Sequence, residues 1–125
     1  MKKVVLDTNF LLIPFQFKID IRKQIEEILE EPHELIVPSG VIYELKKLGK
    51  GKGKEGAAAR FAIKLLGLMG VKKVRSSGHV DDWIARYAAK EGAVVCTNDV
   101  GLRHKLKNCG VKMIVLRSRA RLGVV

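Results

Sequence analysis

Val4-Val5-Leu6-Asp7-Thr8-Asn9 is the stretch whose reading decides the fold. Two β-branched residues and a leucine, bounded by Lys2-Lys3 and by polar residues, read as a short buried strand. A carboxylate that ends such a strand lands at the edge of a sheet, where open α/β folds bind their ligands. Asp7 is therefore read as a site residue.

Working outward, apolar runs and helical patterns alternate along the chain. Residues 8–15 suit a short helical turn or loop. Ile21, Ile25, Ile28 and Leu29 give residues 19–31 an amphipathic helix, capped by Asp20 and stopped at Pro32. Leu35-Ile36-Val37 is a second strand. Ser39 is the expected N-cap of a helix running to Gly49. Residues 49–56 alternate glycine with Lys50, Lys52 and Lys54 and read as a flexible basic loop. Helix returns over 57–69, a weak third strand follows at 71–74, and a helix covers 81–90, with Asp81 where an N-cap would sit. A fourth strand at 93–96, a short helix at 102–107 and a fifth strand at 111–116 complete the pattern, followed by a basic tail, Arg117 to Arg121. Strands alternating with helices predict one α/β domain over residues 1–125, with a central parallel sheet of about five strands and helices on both faces.

Charge points to the partner. The chain of 125 residues carries a formal net charge of +11, unevenly spread. Residues 45–125 hold nineteen Lys/Arg against five acids, whereas residues 1–34 hold five against seven. A basic body on a small domain suits a polyanion, most often nucleic acid. No apolar run approaches the ~20 residues that span a membrane, and no signal peptide is read, so a cytoplasmic protein is expected. Cys96 and Cys109 fit no metal spacing and read as reduced thiols.

The acids supply the chemistry. Asp7 ends the first strand and Asp99 follows the fourth by two residues; parallel strands put their C-terminal ends on one side of a sheet. Glu44 lies about one turn into the helix after the second strand, and Asp81 and Asp82 open another helix. Helices that follow strands begin on that same side, so the acids can converge. Like charges this close are costly without a cation among them. Carboxylate oxygen suits Mg²⁺ or Mn²⁺, and the lack of a ligand-like His or Cys pair argues against zinc. A carboxylate-held divalent cation best serves displacement at phosphorus.

These motifs resemble the PIN-domain ribonucleases, a family that includes VapC-type toxins and rRNA-processing nucleases. Val5-Leu6-Asp7-Thr8-Asn9 looks like the family's opening motif. Pro38 to Leu45, with Glu44, resembles its second segment, Val80 to Ala85 its third, and Cys96 to Leu102 its fourth. The resemblance implies Mg²⁺- or Mn²⁺-dependent endonucleolytic cleavage of single-stranded RNA, with Asp7, Glu44, Asp81 and Asp99 as the metal-site acids. Spacing to Ala88-Ala89 and Gly92 favours Asp81 as the ligand, with Asp82 second. Thr8 or Asn9 would support Asp7, and Thr97 or Asn98 would support Asp99. Family members pair, so a homodimer is implied, as is an antitoxin or a ribosome-assembly protein as partner. The double acid and Leu102-Arg103 look more like the rRNA-processing branch than the toxins.

Other features were weighed against this. Gly49 to Gly56 fails as a phosphate-binding loop of the Walker type, because Lys54 is followed by Glu55 and the stretch follows a helix. Lys50, Lys52 and Lys54 are instead expected to contact RNA phosphates, with Arg103 and Lys105 near the scissile one. Trp83 and Tyr87 are read as core, and Tyr43 as either packing or RNA contact. His33, His79 and His104 lack partners at metal or triad spacing. A non-cleaving RNA-binding subunit with the same fold is the alternative reading. A phosphatase built on a strand-end Asp is disfavoured, since position 9 is Asn where a second Asp is needed.

Overall fold

The computed structural model describes residues 1–125. In chain order the elements are β1 (Lys2–Leu6), α1 (Thr8–Leu11), α2 (Ile13–Phe17), α3 (Ile21–Leu29), β2 (His33–Pro38), α4 (Ser39–Gly49), α5 (Gly53–Met69) and β3 (Lys72–Val74). There follow α6 (Val80–Glu91), β4 (Val94–Cys96), α7 (Val100–Asn108), β5 (Met113–Ser118) and β6 (Arg121–Val124). The strands form a single sheet in the order β3-β2-β1-β4-β5-β6. All neighbours are parallel except β5 and β6.

The centre of the sheet is β1 beside β4, and the residues say why. Val4, Val5 and Leu6 on one strand and Val94, Val95 and Cys96 on the other are all buried. Strands covered on both faces need continuous apolar runs, and β-branched residues suit the pleat. Crossovers lead from β1 to β2 and β3 in one direction, then back across to β4 and β5 in the other, and connections between parallel strands are right-handed as a rule. The helices consequently divide between the two faces: α4 and α5 pack on each other and reach α1 and α2, while α6 and α7 pack together. The direction of winding reverses between β1 and β4, which makes their C-terminal ends the switch point of the sheet. The register pairs Leu6 with Cys96, so the two strands end level.

Four local expectations need correction. Ser39 does not cap α4; Pro38 occupies that boundary, and the Ser39 hydroxyl accepts from the Ser76 backbone N–H at 2.9 Å instead. The strand runs straight into the helix with no linker, so the cap position falls one residue early. Asp81 lies inside the first turn of α6, with His79 at the cap. The basic loop is nearly absent, because α5 starts at Gly53, where φ is +86°, leaving only residues 50–52 between helices. Finally, the basic tail turns back as β6, a sixth and antiparallel strand on β5. Leu122 is buried and anchors it.

Candidate active site

Because β1 and β4 end level, the residues after them emerge side by side. The Asp7 backbone N–H donates to the Cys96 carbonyl at 3.0 Å, extending the ladder one step beyond the strands. Thr97 then stands beside Asp7. Its hydroxyl donates to Asp7 Oδ2 at 2.8 Å and accepts from the Asp99 N–H at 3.0 Å. One fully buried threonine thus orders two acids. Asp99 is also the N-cap of α7, with Oδ2 accepting from Leu102 N–H at 2.8 Å. The Thr8 hydroxyl supports Glu44, donating to Oε1 at 2.7 Å and tying α1 to the second turn of α4, while the Thr8 backbone hydrogen-bonds Asp7. Asn98 supports neither acid: its Oδ1 accepts from Leu116 N–H at 2.9 Å, fixing the end of β4 to β5.

The result is a cleft of about 810 Å³ at the switch point, lined by Asp7, Glu44, Asp81 and Asp99 together with Thr8 and Asn9. Four of the five acids singled out in the sequence meet there. Asp82 does not; it is held by Lys105, Nζ to Oδ1 at 2.6 Å. Successive helical residues point about 100° apart, so Asp81 and Asp82 cannot both face one cleft. That pairing also occupies Lys105 and holds the Asp82 carboxyl below its ordinary range. Of the three glycine-flanked lysines, only Lys52 lines the cleft. Trp83 and Tyr87 stack on each other at 4.7 Å and pack against the core, as the pattern predicts.

The electrostatics are those of a carboxylate cluster with no cation in it. No Lys, Arg or His lies within ion-pair distance of Asp7, Glu44, Asp81 or Asp99. Burial pushes Asp7 up to about 6, with the Asp81 and Glu44 charges adding to the rise against the Thr97 hydrogen bond. Asp81 is raised as well, first by burial and then by Asp99. A hard divalent cation would relieve this. The donors are all oxygen, which fits Mg²⁺ or Mn²⁺ and not a soft ion. No three acids close into a ready-made shell, and Mg²⁺ characteristically keeps several waters when bound by one or two carboxylates.

The cleft holds residues that the sequence reading missed. These are Lys47 and Glu55; Tyr43, whose position in the sequence fits either packing or RNA contact, lines the cleft too and is 70% exposed. Lys47 could have been found, since it lies three residues after Glu44 on one helix and shares its face. Glu55 was hidden by the expectation of a loop around it.

An open α/β domain with clustered carboxylates at its switch point has them where such folds bind their ligands. Comparison with known proteins makes the assignment specific. The family model for a PIN-like domain matches residues 4–119. The chain is 35% identical over 124 residues to Ribonuclease VapC4 of Methanocaldococcus jannaschii, covering 95% of this chain and 93% of that protein. It is also 35% identical over 121 residues to Ribonuclease VapC9 of Archaeoglobus fulgidus, covering 96% and 87%. Among solved structures, the PIN domain endonuclease Utp24 superposes with a TM-score of 0.82 at 22% identity, covering 98% of this chain and 90% of that one. The chain belongs to the PIN-domain family.

Proposed function

We propose that this protein is a divalent-metal-dependent endoribonuclease that hydrolyses phosphodiester bonds in single-stranded RNA. The observation that carries the reading is the cluster of four carboxylates at the switch point, none of them paired with a basic side chain, on a chain of net charge +11. Asp7, Glu44, Asp81 and Asp99 would hold Mg²⁺ or Mn²⁺, with Asp82 outside the set. When bound, such an ion supplies polarisation of a phosphate oxygen and activation of the attacking water. The chain's own residues do the positioning. Thr97 ties the Asp7 carboxylate to the Asp99 backbone, Leu102 N–H holds the Asp99 carboxylate, Thr8 fixes Glu44, and the basic residues around the cleft attract the phosphate backbone. The names of the relatives, two VapC ribonucleases and an endonuclease, support a nuclease role of this kind.

The test is cleavage of single-stranded RNA with Mn²⁺ by Asp7→Asn and Asp99→Asn. Both replacements keep the shape, and asparagine caps helices as well as aspartate does. Each should abolish cutting while circular dichroism stays native. Wild-type rates from the double variant would sink the assignment. RNA shifted in a gel without metal-dependent cutting would point instead to a non-cleaving RNA-binding subunit.

A further inference from the structure

Six of the thirteen residues around the cleft come from one short piece of chain: Lys47, Leu48, Gly51, Lys52, Glu55 and Gly56. They form the wall at the α4–α5 turn. The sequence pattern, glycine alternating with lysine, describes a floppy segment, but the structure builds the opposite. The Arg60 guanidinium reaches back from the second turn of α5 and donates from Nη1 to two carbonyls, Gly49 O at 2.7 Å and Gly51 O at 2.9 Å. Gly51 N–H in turn donates to Leu48 O at 3.0 Å. The start of α5 is pressed onto the same carbonyl: a Cβ on Gly56 would lie 2.1 Å from Gly51 O. Backbone contact that close is open only to glycine. Three independent contacts therefore pin one three-residue turn.

We infer that Arg60 and Gly56 are positioning residues that make this turn a rigid phosphate-binding wall, presenting Lys52, beside Lys47 on α4, to the RNA strand whose scissile phosphate lies at the acids. The inference rests on the ribonuclease reading and deepens it. Lys47 and Lys52 have no carboxylate within ion-pair distance, so both ammonium groups are available to a ligand. They line the same cleft as Asp7, Glu44, Asp81 and Asp99. A polyanionic strand in that cleft meets both acids that need a cation and lysines that need an anion. Adjoining phosphates of one strand satisfy both. Arg60 spends both Nη1 hydrogens on backbone carbonyls and does not itself line the cleft, which assigns it to positioning the turn. A fixed lysine costs less entropy on binding than one on a flexible loop, which is what the clamp contributes.

The experiment compares Lys52→Ala, Arg60→Ala, Arg60→Lys and the double variant Arg60→Ala/Lys52→Ala. Two readouts are taken on a fluorescent single-stranded RNA: anisotropy in EDTA, and kcat and KM with Mn²⁺. Losing one phosphate contact should raise KM and the metal-free Kd about tenfold, with kcat within about twofold of wild type. Because Arg60 works through Lys52, the double variant should be no worse than Lys52→Ala alone. Arg60→Lys should recover part of the loss, since an ammonium can still cap one carbonyl. Multiplying effects in the double variant would overturn the inference. So would an Arg60→Ala that lowers Tm and kcat but leaves KM and Kd unchanged. Loss of metal-free RNA binding in these variants, in a protein that cuts nothing with any metal, would uphold the wall and refute the nuclease. Wild-type Kd and KM throughout, in a protein that does cut, would do the reverse.

Discussion

Asp7 carries the cost of the site. Its carboxyl is buried, faces other acids and is offset only by hydrogen bonds, chiefly from Thr97. A carboxyl raised from 3.8 to about 6 on folding binds its proton more tightly in the native state than in the unfolded chain. Native stability in the absence of metal is then undiminished below pH 4 and falls as the pH climbs through 6, since the unfolded state ionises first. At neutral pH the deficit is on the order of 2–3 kcal/mol. Asp7→Asn removes the charge and should raise the Tm of the EDTA-treated protein at pH 7.5, yet leave it little changed at pH 4. The same replacement should erase the Tm increase that Mn²⁺ gives the wild type, because a ligand that binds only the folded state stabilises it. A variant less stable than wild type in EDTA at pH 7.5 would contradict this account. Asp7 as a site residue was legible in the sequence, because an acid at the end of a buried strand has few structural uses. That Thr97 would serve it was not legible. The hydroxyl lies ninety positions away and meets Asp7 only because Leu6 and Cys96 pair.

At the scale of elements, local rules held where local contacts decide. Asp20 was expected to cap α3, and its Oδ1 accepts from Lys23 N–H at 3.1 Å. Asp20→Ala should cost about 1 kcal/mol, lowering Tm by about 3–5 °C for a domain of this size. Since α3 packs towards β6 and lines no part of the acid cleft, kcat should be unchanged. A loss of activity with intact Tm would mean that α3 is coupled to the site. The sequence rules failed at the α4–α5 turn and at β6, and for a shared reason. The alternating glycines leave the turn without helical preference of its own, and Arg60 supplies the order from outside the segment. In β6 the segment Arg121-Leu122-Gly123-Val124 is too short and too basic to read as a strand. It pairs with β5 because Leu122 can bury and because Gln24 on α3 accepts from Leu122 N–H at 2.8 Å.

The molecule as a whole sets an acid-rich cleft in a chain whose positive charge is concentrated after residue 44. The excess positive charge lies in residues 45–125, which build the α4–α5 wall, α6, α7 and the β5–β6 hairpin. The C-terminal ends of β1, β4 and β5 lie along one edge of the sheet, so Arg117 and Arg119 at the hairpin share that edge with the acids. RNA affinity measured without metal should fall steeply with salt. Contact with some 4–6 phosphates gives a log–log slope of about −3 to −4 for a single strand. A slope near zero would remove the basic surface from the account.

The sequence by itself determined the class of fold, the strand ends that carry Asp7 and Asp99, and the basic character of the surface. Each of these is a matter of residue type and local spacing: apolar runs, breakers, and charges counted along the chain. Tertiary structure decided the rest. It placed β1 beside β4 and so made a switch point, turned Asp81 into the cleft and gave Asp82 to Lys105, sent the Thr8 hydroxyl to Glu44, and brought Lys47, Lys52 and Glu55 into the lining of the same cleft. Those outcomes depend on which strands pair and on which way a helix is rotated, and both are fixed by the packing of the whole core.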